Sequence, residues 1–240
     1  MVYIIIFFIV VIIFYINMSF YRNCDYELDI HKFKKINLND LKQLYKLRQP
    51  IKFNYTLNTI NVDSLNTIFN EKKVSMFNTK TRNIEMVKWK KNKKNHIYLL
   101  ATFLSKRNKE FKPRMCSNIY ENYLVLNKDC TTITKYTNLY KELITPINGE
   151  CKIRIVKNEE KNYFEQIKSV NENDVYFNSD LFNGKVPYKE ILLKKGECIM
   201  IPSKWIYSIK TDNDVIIFNQ SWDTYINKLA HTYEYFKYHY

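Results

Sequence analysis

Glycine is scarce in this chain, with three residues in 240, and proline supplies only five. No G-x-G-x-x-G or G-x-x-x-x-G-K-[ST] string occurs, which excludes nucleotide hydrolysis on a glycine-rich phosphate cradle. The five cysteines, Cys24, Cys116, Cys130, Cys151 and Cys198, include no C-x-x-C pair; irregular spacing of this kind agrees with a reducing compartment. Histidine is limited to His31, His96, His231 and His239, and none opens a His-x-Asp or His-x-Glu triplet. His231 and Glu234 stand at i and i+3, but without a third ligand nearby they read as a surface pair. No G-x-S-x-G nucleophile string is present, and the acidic residues show no spacing that marks an acid/base pair.

What is there is globular in balance. Hydrophobic residues make up 46% and charged residues 26%, near the averages of folded domains. At ~150 residues per domain the length fits one medium domain with accessories. An excess of Lys, Asn, Ile and Tyr over Ala, Gly and Arg matches the coding bias of an AT-rich genome and carries no functional meaning. The net charge of +14 suggests nucleic acid, anionic lipid or an acidic protein as partner. That charge is local. Between Lys72 and Arg114 there are fourteen Lys or Arg against Glu85 and Glu110 alone, leaving 24 basic and 22 acidic residues elsewhere.

Val2 to Ile16 is an unbroken apolar run, VYIIIFFIVVIIFYI, extended to Tyr21 before Arg22. Residues 1–21 just meet the ~20 that a helix needs to cross a bilayer, and in lipid only a helix satisfies its own backbone. A cleaved signal peptide would need a basic start and a small-residue cleavage site, and neither is present; a buried core strand is the third reading. The sequence predicts an uncleaved, single-pass membrane anchor. Arg22, Lys32, Lys34 and Lys35 follow the run and none precedes it, so the body is expected on the cytosolic side. Three glycosylation sequons, at Asn17, Asn54 and Asn219, point the other way, and chance supplies such matches in an Asn-rich chain.

Beyond a juxtamembrane linker, 22–37, short helices are expected after the Asn39 cap, at Ser64–Asn70 and at His96–Ser105. Strands are expected at Ile51–Tyr55 and near Val74–Phe77. After Tyr120 the pattern turns to β, with runs at Tyr123–Leu126, Thr131–Tyr136, Leu139–Ile144, Lys152–Val156, Glu190–Leu193, Cys198–Pro202, Tyr207–Lys210 and Val215–Phe218. Asn148-Gly149 carries the strongest hairpin signal, with further turns at Asn183-Gly184 and Lys195-Gly196. Eight short strands at these intervals read as a small sandwich or barrel, closed by a C-terminal helix over 226–240.

The string Leu192-Leu193-Lys194-Lys195-Gly196-Glu197, followed by Ile201-Pro202-Ser203-Lys204-Trp205-Ile206-Tyr207 and by Ile217-Phe218-Asn219-Gln220-Ser221-Trp222, resembles the closing strands of the cupin-like JmjC hydroxylase group. Tyr136 to Lys152 resembles that group's stretch from its metal motif to its hairpin lysine, and Arg48-Gln49-Pro50-Ile51-Lys52-Phe53 its opening strand. The resemblance covers about residues 38–225 and implies a mostly β, α+β domain, a cupin-like double-stranded β-helix. It also implies Fe(II) on two His and a carboxylate, with 2-oxoglutarate as cosubstrate. The ligands are missing. The His-x-Asp position falls on Tyr136-Thr137-Asn138 or, one residue earlier, on Lys135-Tyr136-Thr137, and the distal His position falls on Tyr207. Cys151 stands where the cosubstrate lysine is expected, with Lys152 beside it. A neutral phenol and an amide are weak donors for ferrous iron, so the expectation is an inactive domain holding no cofactor, in which Tyr136 and Tyr207 fill the vacated centre or, as the sharper alternative, line a remodelled pocket. An active Fe(II)/2-oxoglutarate hydroxylase with non-standard ligands is the alternative.

Lys88, Trp89, Lys90, Lys91, Lys93 and Lys94 form the densest basic cluster. On an anchored protein it suits an anionic lipid surface or an acidic protein, each Lys contributing ~1 kcal/mol near a charged leaflet. A solvated loop is the plain alternative. Nucleic acid is disfavoured, since no RRM, KH, zinc or helix-turn-helix signature accompanies the charge.

Overall fold

The computed structural model of the chain describes residues 2–21, 28–34, 48–54, 77–78, 83–84, 111–113, 115–171, 173–184 and 186–228. A helix, α1 (Val2–Tyr21), forms over the apolar run. Its side chains are exposed from Val2 to Tyr15, so no folded core explains their apolarity. Among the described residues no helix is long and apolar enough to cross a membrane; the side chains of α1 are described over fourteen positions, fewer than the ~20 of a span. The expected transmembrane span is therefore not met within them.

The remainder is β. The strands are β1 (His31–Phe33), β2 (Ile51–Asn54), β3 (Phe77–Asn78), β4 (Asn83–Ile84), β5 (Cys116–Leu126), β6 (Cys130–Thr131), β7 (Thr134–Thr137), β8 (Lys141–Asn148), β9 (Glu150–Val156), β10 (Gln166–Asn171), β11 (Asp174–Phe177), β12 (Lys189–Lys194), β13 (Glu197–Pro202), β14 (Ile206–Thr211) and β15 (Val215–Thr224). They build a six-stranded sheet in the order β1-β2-β13-β8-β15-β5 and a seven-stranded sheet in the order β10-β11-β7-β14-β9-β12, with β6 added beside β14. Among the described residues only β1 and β2 pair in parallel within these sheets. Leaving aside β6, β10 and β11, all in the seven-stranded sheet, the chain from β5 onward crosses between sheets at every step but β9 to β12: β5, β8, β13 and β15 lie in one, β7, β9, β12 and β14 in the other. A chain wound in this way is a double-stranded β-helix, and the fold is cupin-like.

Alternation sets the core. In β12 only Ile191 and Leu193 are buried, and in β9 Cys151, Ile153 and Ile155 turn inward, the period-two pattern of a strand with one face on the core. They meet Ile144, Ile199, Ile201, Ile209, Val215 and Ile217 from neighbouring and facing strands. A second cluster, Val156, Phe164, Val175, Phe177, Leu181 and Ile206, lies on the far side of the seven-stranded sheet with Tyr136 and Val186 against it. Trp205 Nε1 donates to the Arg48 carbonyl at 3.0 Å and ties the N-terminal strands to the barrel.

One turn differs from expectation. Asn148-Gly149 does not close a hairpin, because β8 pairs with β13 and β15 while β9 pairs with β12 and β14. Gly149, at φ 71°, instead takes the chain from one sheet to the other. A Cβ there would lie 2.9 Å from Val215 Cγ2 and 3.0 Å from the Asp214 carbonyl, so the corner needs both the left-handed backbone and the missing side chain. The sequence reading also omitted β10 and β11. The expected helices near 39–49, at 64–70 and at 96–105 lie outside the described residues, as does most of 72–114; residues 225–228 are helical and the rest of 226–240 lies outside.

Candidate functional site

The apolar interior of the barrel gives way at one end to a buried polar network. Three strands of one sheet supply it in register: Lys135 of β7 stands opposite Tyr207 of β14 on one side and Tyr176 of β11 on the other. Directly opposed residues share a face, so these three side chains point the same way. Asp174 opposes Thr137, two residues along, and joins that face. Glu142 of β8 and Asn219 of β15 arrive from the other sheet.

Glu142 is the hub. Its Oε2 accepts the Tyr207 hydroxyl at 2.7 Å, and its Oε1 accepts from the Asn219 amide and from Lys135 Nζ at 3.3 Å. Lys135 Nζ also lies 3.2 Å from Asp174 Oδ2, which accepts the Tyr176 hydroxyl at 3.3 Å. The same ammonium sits 5.5 Å from the centre of the Tyr207 ring, within cation–π range. Side-chain exposure is 1% for Glu142, 8% for Asp174 and 17% for Lys135. Charges so shielded from water are stable only when paired and hydrogen-bonded.

The electrostatics follow from this packing. Burial works against the charge on Lys135, but Asp174 and Glu142 outweigh it and hold the ammonium well above the usual lysine range. Burial, then the Glu142 carboxylate, pushes the Tyr207 phenol well above its ordinary value, so the hydroxyl stays protonated and donates. Tyr176 is raised in the same sense, mainly by burial. The site therefore pairs one fixed cation with two carboxylates under two protonated phenols.

The residues singled out in the sequence are split by the structure. Tyr207 is inside, at the hub. Tyr136 is on the opposite face of β7, its ring 5.7 Å from Phe177 and 5.3 Å from Lys204 Nζ; the earlier of the two registers, with Lys135 first, is the one that reaches the interior. Asn138 lies just past β7, its carbonyl accepting from Asn227 Nδ2 at 3.0 Å. Lys152 faces outward and bonds Asp212 at 2.7 Å in solvent, while Cys151 turns inward, its thiol pushed up to about 12 by burial, with Glu150 adding to the shift. Lys88, Trp89, Lys90, Lys91, Lys93 and Lys94 lie outside the described residues. Asn219, counted as a sequon, has its amide on Glu142 inside the barrel.

Sequence reasoning missed Glu142, Asp174, Tyr176 and the partnership of Asn219. Glu142 had a signal: it shares parity with Ile144 in a strand that is apolar beyond it, which places a carboxylate on the core face. Asp174 and Tyr176 sit on a four-residue strand between polar stretches, too short for alternation to show.

An iron centre does not fit these side chains. Among the described residues no imidazole enters the network, and Lys135 Nζ already lies within ion-pair distance of both carboxylates that could face a metal. Among the described residues no group of three or more His, Cys, Asp or Glu is placed to hold a metal ion. Lys152, turned outward, is not presented to a cosubstrate carboxylate in the interior.

No protein-family model and no curated protein matches the chain. Among solved structures it is similar to a hydroquinone 1,2-dioxygenase from Sphingomonas sp. TTNP3 with 4-hydroxybenzoate bound, at 14% identity over 48% of this chain and 68% of that one, TM-score 0.35. It is also similar to the Drosophila melanogaster CENP-C cupin domain, at 13% identity over 41% of this chain and 57% of that one, TM-score 0.28.

Proposed function

We propose that the chain is a membrane-anchored, JmjC-like cupin domain that has left hydroxylase chemistry and acts in binding or scaffolding. The observation that carries this reading is the Lys135 ammonium lodged between Glu142 and Asp174. A positively charged lysine has no lone pair to offer a metal, and it repels a divalent cation from the carboxylates it holds. Anchoring is supported by the exposed apolar side chains of α1, which water does not favour over so long a run. The basic segment 72–114, with Lys88, Trp89, Lys90, Lys91, Lys93 and Lys94 at its centre, then meets an anionic leaflet or an acidic protein from the cytosolic side.

Measurements on the full-length chain test this. Metal analysis of the purified protein is expected to find no stoichiometric iron, and incubation with Fe(II) and 2-oxoglutarate no succinate; stoichiometric iron with succinate release would instead establish the hydroxylase alternative. Carbonate washing is expected to leave the chain in the membrane fraction, and its release would defeat the anchor. Changing Lys90, Lys91, Lys93 and Lys94 to Gln is expected to weaken binding to anionic vesicles. Loss of single-stranded RNA binding with vesicle binding intact would favour the nucleic-acid alternative.

A further inference from the structure

We infer that Lys135 is the barrel's resident cation, a covalently attached ammonium that does for Glu142 and Asp174 what a bound ion would do, and that its position is a binding site for a primary ammonium group. The inference rests on the reading of an iron-free barrel and names what replaces the metal. Its geometry is that of an ammonium site. Nζ lies 3.3 Å from Glu142 Oε1 and 3.2 Å from Asp174 Oδ2, and the face of Tyr207 closes a third side at 5.5 Å. Two carboxylate oxygens and an aromatic face suit the three N–H donors of an alkylammonium.

The surrounding groups reinforce that arrangement. Tyr207 and Asn219 donate to Glu142, and Tyr176 donates to Asp174. Each carboxylate thus accepts from donors other than the lysine, and each lies buried. With both ionised, the network carries one more negative than positive charge even when Lys135 is present. Removing the lysine leaves two buried carboxylates facing one another, which favours either protonation of one or entry of another cation. Truncation at Cβ would leave room for the remaining three carbons and the nitrogen, the size of propylammonium.

Thermal melting of the full-length chain in detergent tests this with three variants. Lys135→Met keeps the bulk and removes the charge; its melting temperature is expected to fall by about 6–20 °C, the consequence of leaving buried charges unpaired in a domain of this size. Lys135→Met combined with Glu142→Gln and Asp174→Asn is expected to recover most of that loss, because the cation is then no longer needed. It also keeps the question open to measurement if the single variant fails to fold. Lys135→Ala is expected to gain melting temperature with propylammonium chloride, saturably and beyond the effect of equal sodium chloride, while the wild-type chain does not. A Lys135→Met chain that melts within about 2 °C of wild type, a triple variant no better than the single one, or no specific gain with propylammonium would each overturn the inference. Iron in the wild-type chain would defeat the proposed inactivity instead, so the two failures are distinguishable.

Discussion

Replacing Tyr207 by Phe isolates the hydroxyl at the centre of the network. The ring stays, and with it the packing against Ile209 and its neighbours in the core. What goes is the O–H that reaches Glu142 Oε2 at 2.7 Å, from a residue 2% exposed to a carboxylate 1% exposed. A hydrogen bond to a charged group contributes ~1.5–3 kcal/mol, and the carboxylate oxygen left behind has no bulk water to replace its donor. The loss should reach about 2–3 kcal/mol, or about 4–12 °C in melting temperature for a domain of this size. Its pH dependence has a fixed sign. Because Tyr207 titrates higher in the folded chain than an unfolded tyrosine, its contribution is fully present below the ordinary tyrosine value of about 10 and fades as pH rises through the folded value. Melting curves of wild type and Tyr207→Phe, followed by circular dichroism from pH 7 to 11, should stay separated up to about pH 10 and converge above it. Equal melting temperatures at pH 7 would refute the reasoning and mark Tyr207 as the wall of a hydrated pocket rather than the donor that holds Glu142.

Three further substitutions test other parts of the structure by the same melting assay. Gly149→Ala combines a left-handed backbone with a Cβ 2.9 Å from Val215 Cγ2 and should cost about 2–4 kcal/mol; a neutral result would mean that β8 and β9 are joined differently. Lys152→Ala removes one side of an exposed pair with Asp212 and should shift melting by less than about 2 °C, whereas a large change on adding 2-oxoglutarate to wild type but not to this variant would show that Lys152 reaches a ligand. Lys141, buried on the face of β8 opposite Glu142, is held well below the usual lysine range by burial and next by Arg48. Its folded value is depressed, so stability rises with pH between that value and about 10.4; Lys141→Met, which carries no titrating group, should flatten that rise, and an unchanged pH slope would refute the depression.

The strands after Tyr120 were legible because two-residue alternation survives wherever one face is buried. Glu190–Leu193 and Lys152–Val156 fall inside β12 and β9, whose inward residues are Ile191, Leu193, Cys151, Ile153 and Ile155. β8 was placed two residues early and cut short, since its strand is buried on both faces and such runs carry no alternation to fix their ends. The sheet partnership was not legible. Asn-Gly satisfies any tight turn with a left-handed residue, and the same dipeptide that closes a hairpin here turns a corner between sheets. What decides between the two lies 66 residues away, at Val215, where the turn packs; a local signal contains no such information.

The site turned on a single residue of register. Counting from the resemblance put Tyr136 at the first interior position with Lys135 as the alternative one residue earlier, and alternation makes them opposites: whichever faces the barrel, the other faces away. Tyr136 packs on Phe177 on the far side of the seven-stranded sheet, so Lys135 is inside, and the chemistry of the centre changes with it. A tyrosine there would have left Glu142 and Asp174 with no cation between them. Lysine makes Glu142 and Asp174 intelligible as a pair around a cation, and it gives Asn219, which follows the apolar run 215–218 of β15, a role for its amide in the interior. These residues came into view together only once β7 was set against β14, because they belong to five strands scattered over 85 residues and share no motif in sequence.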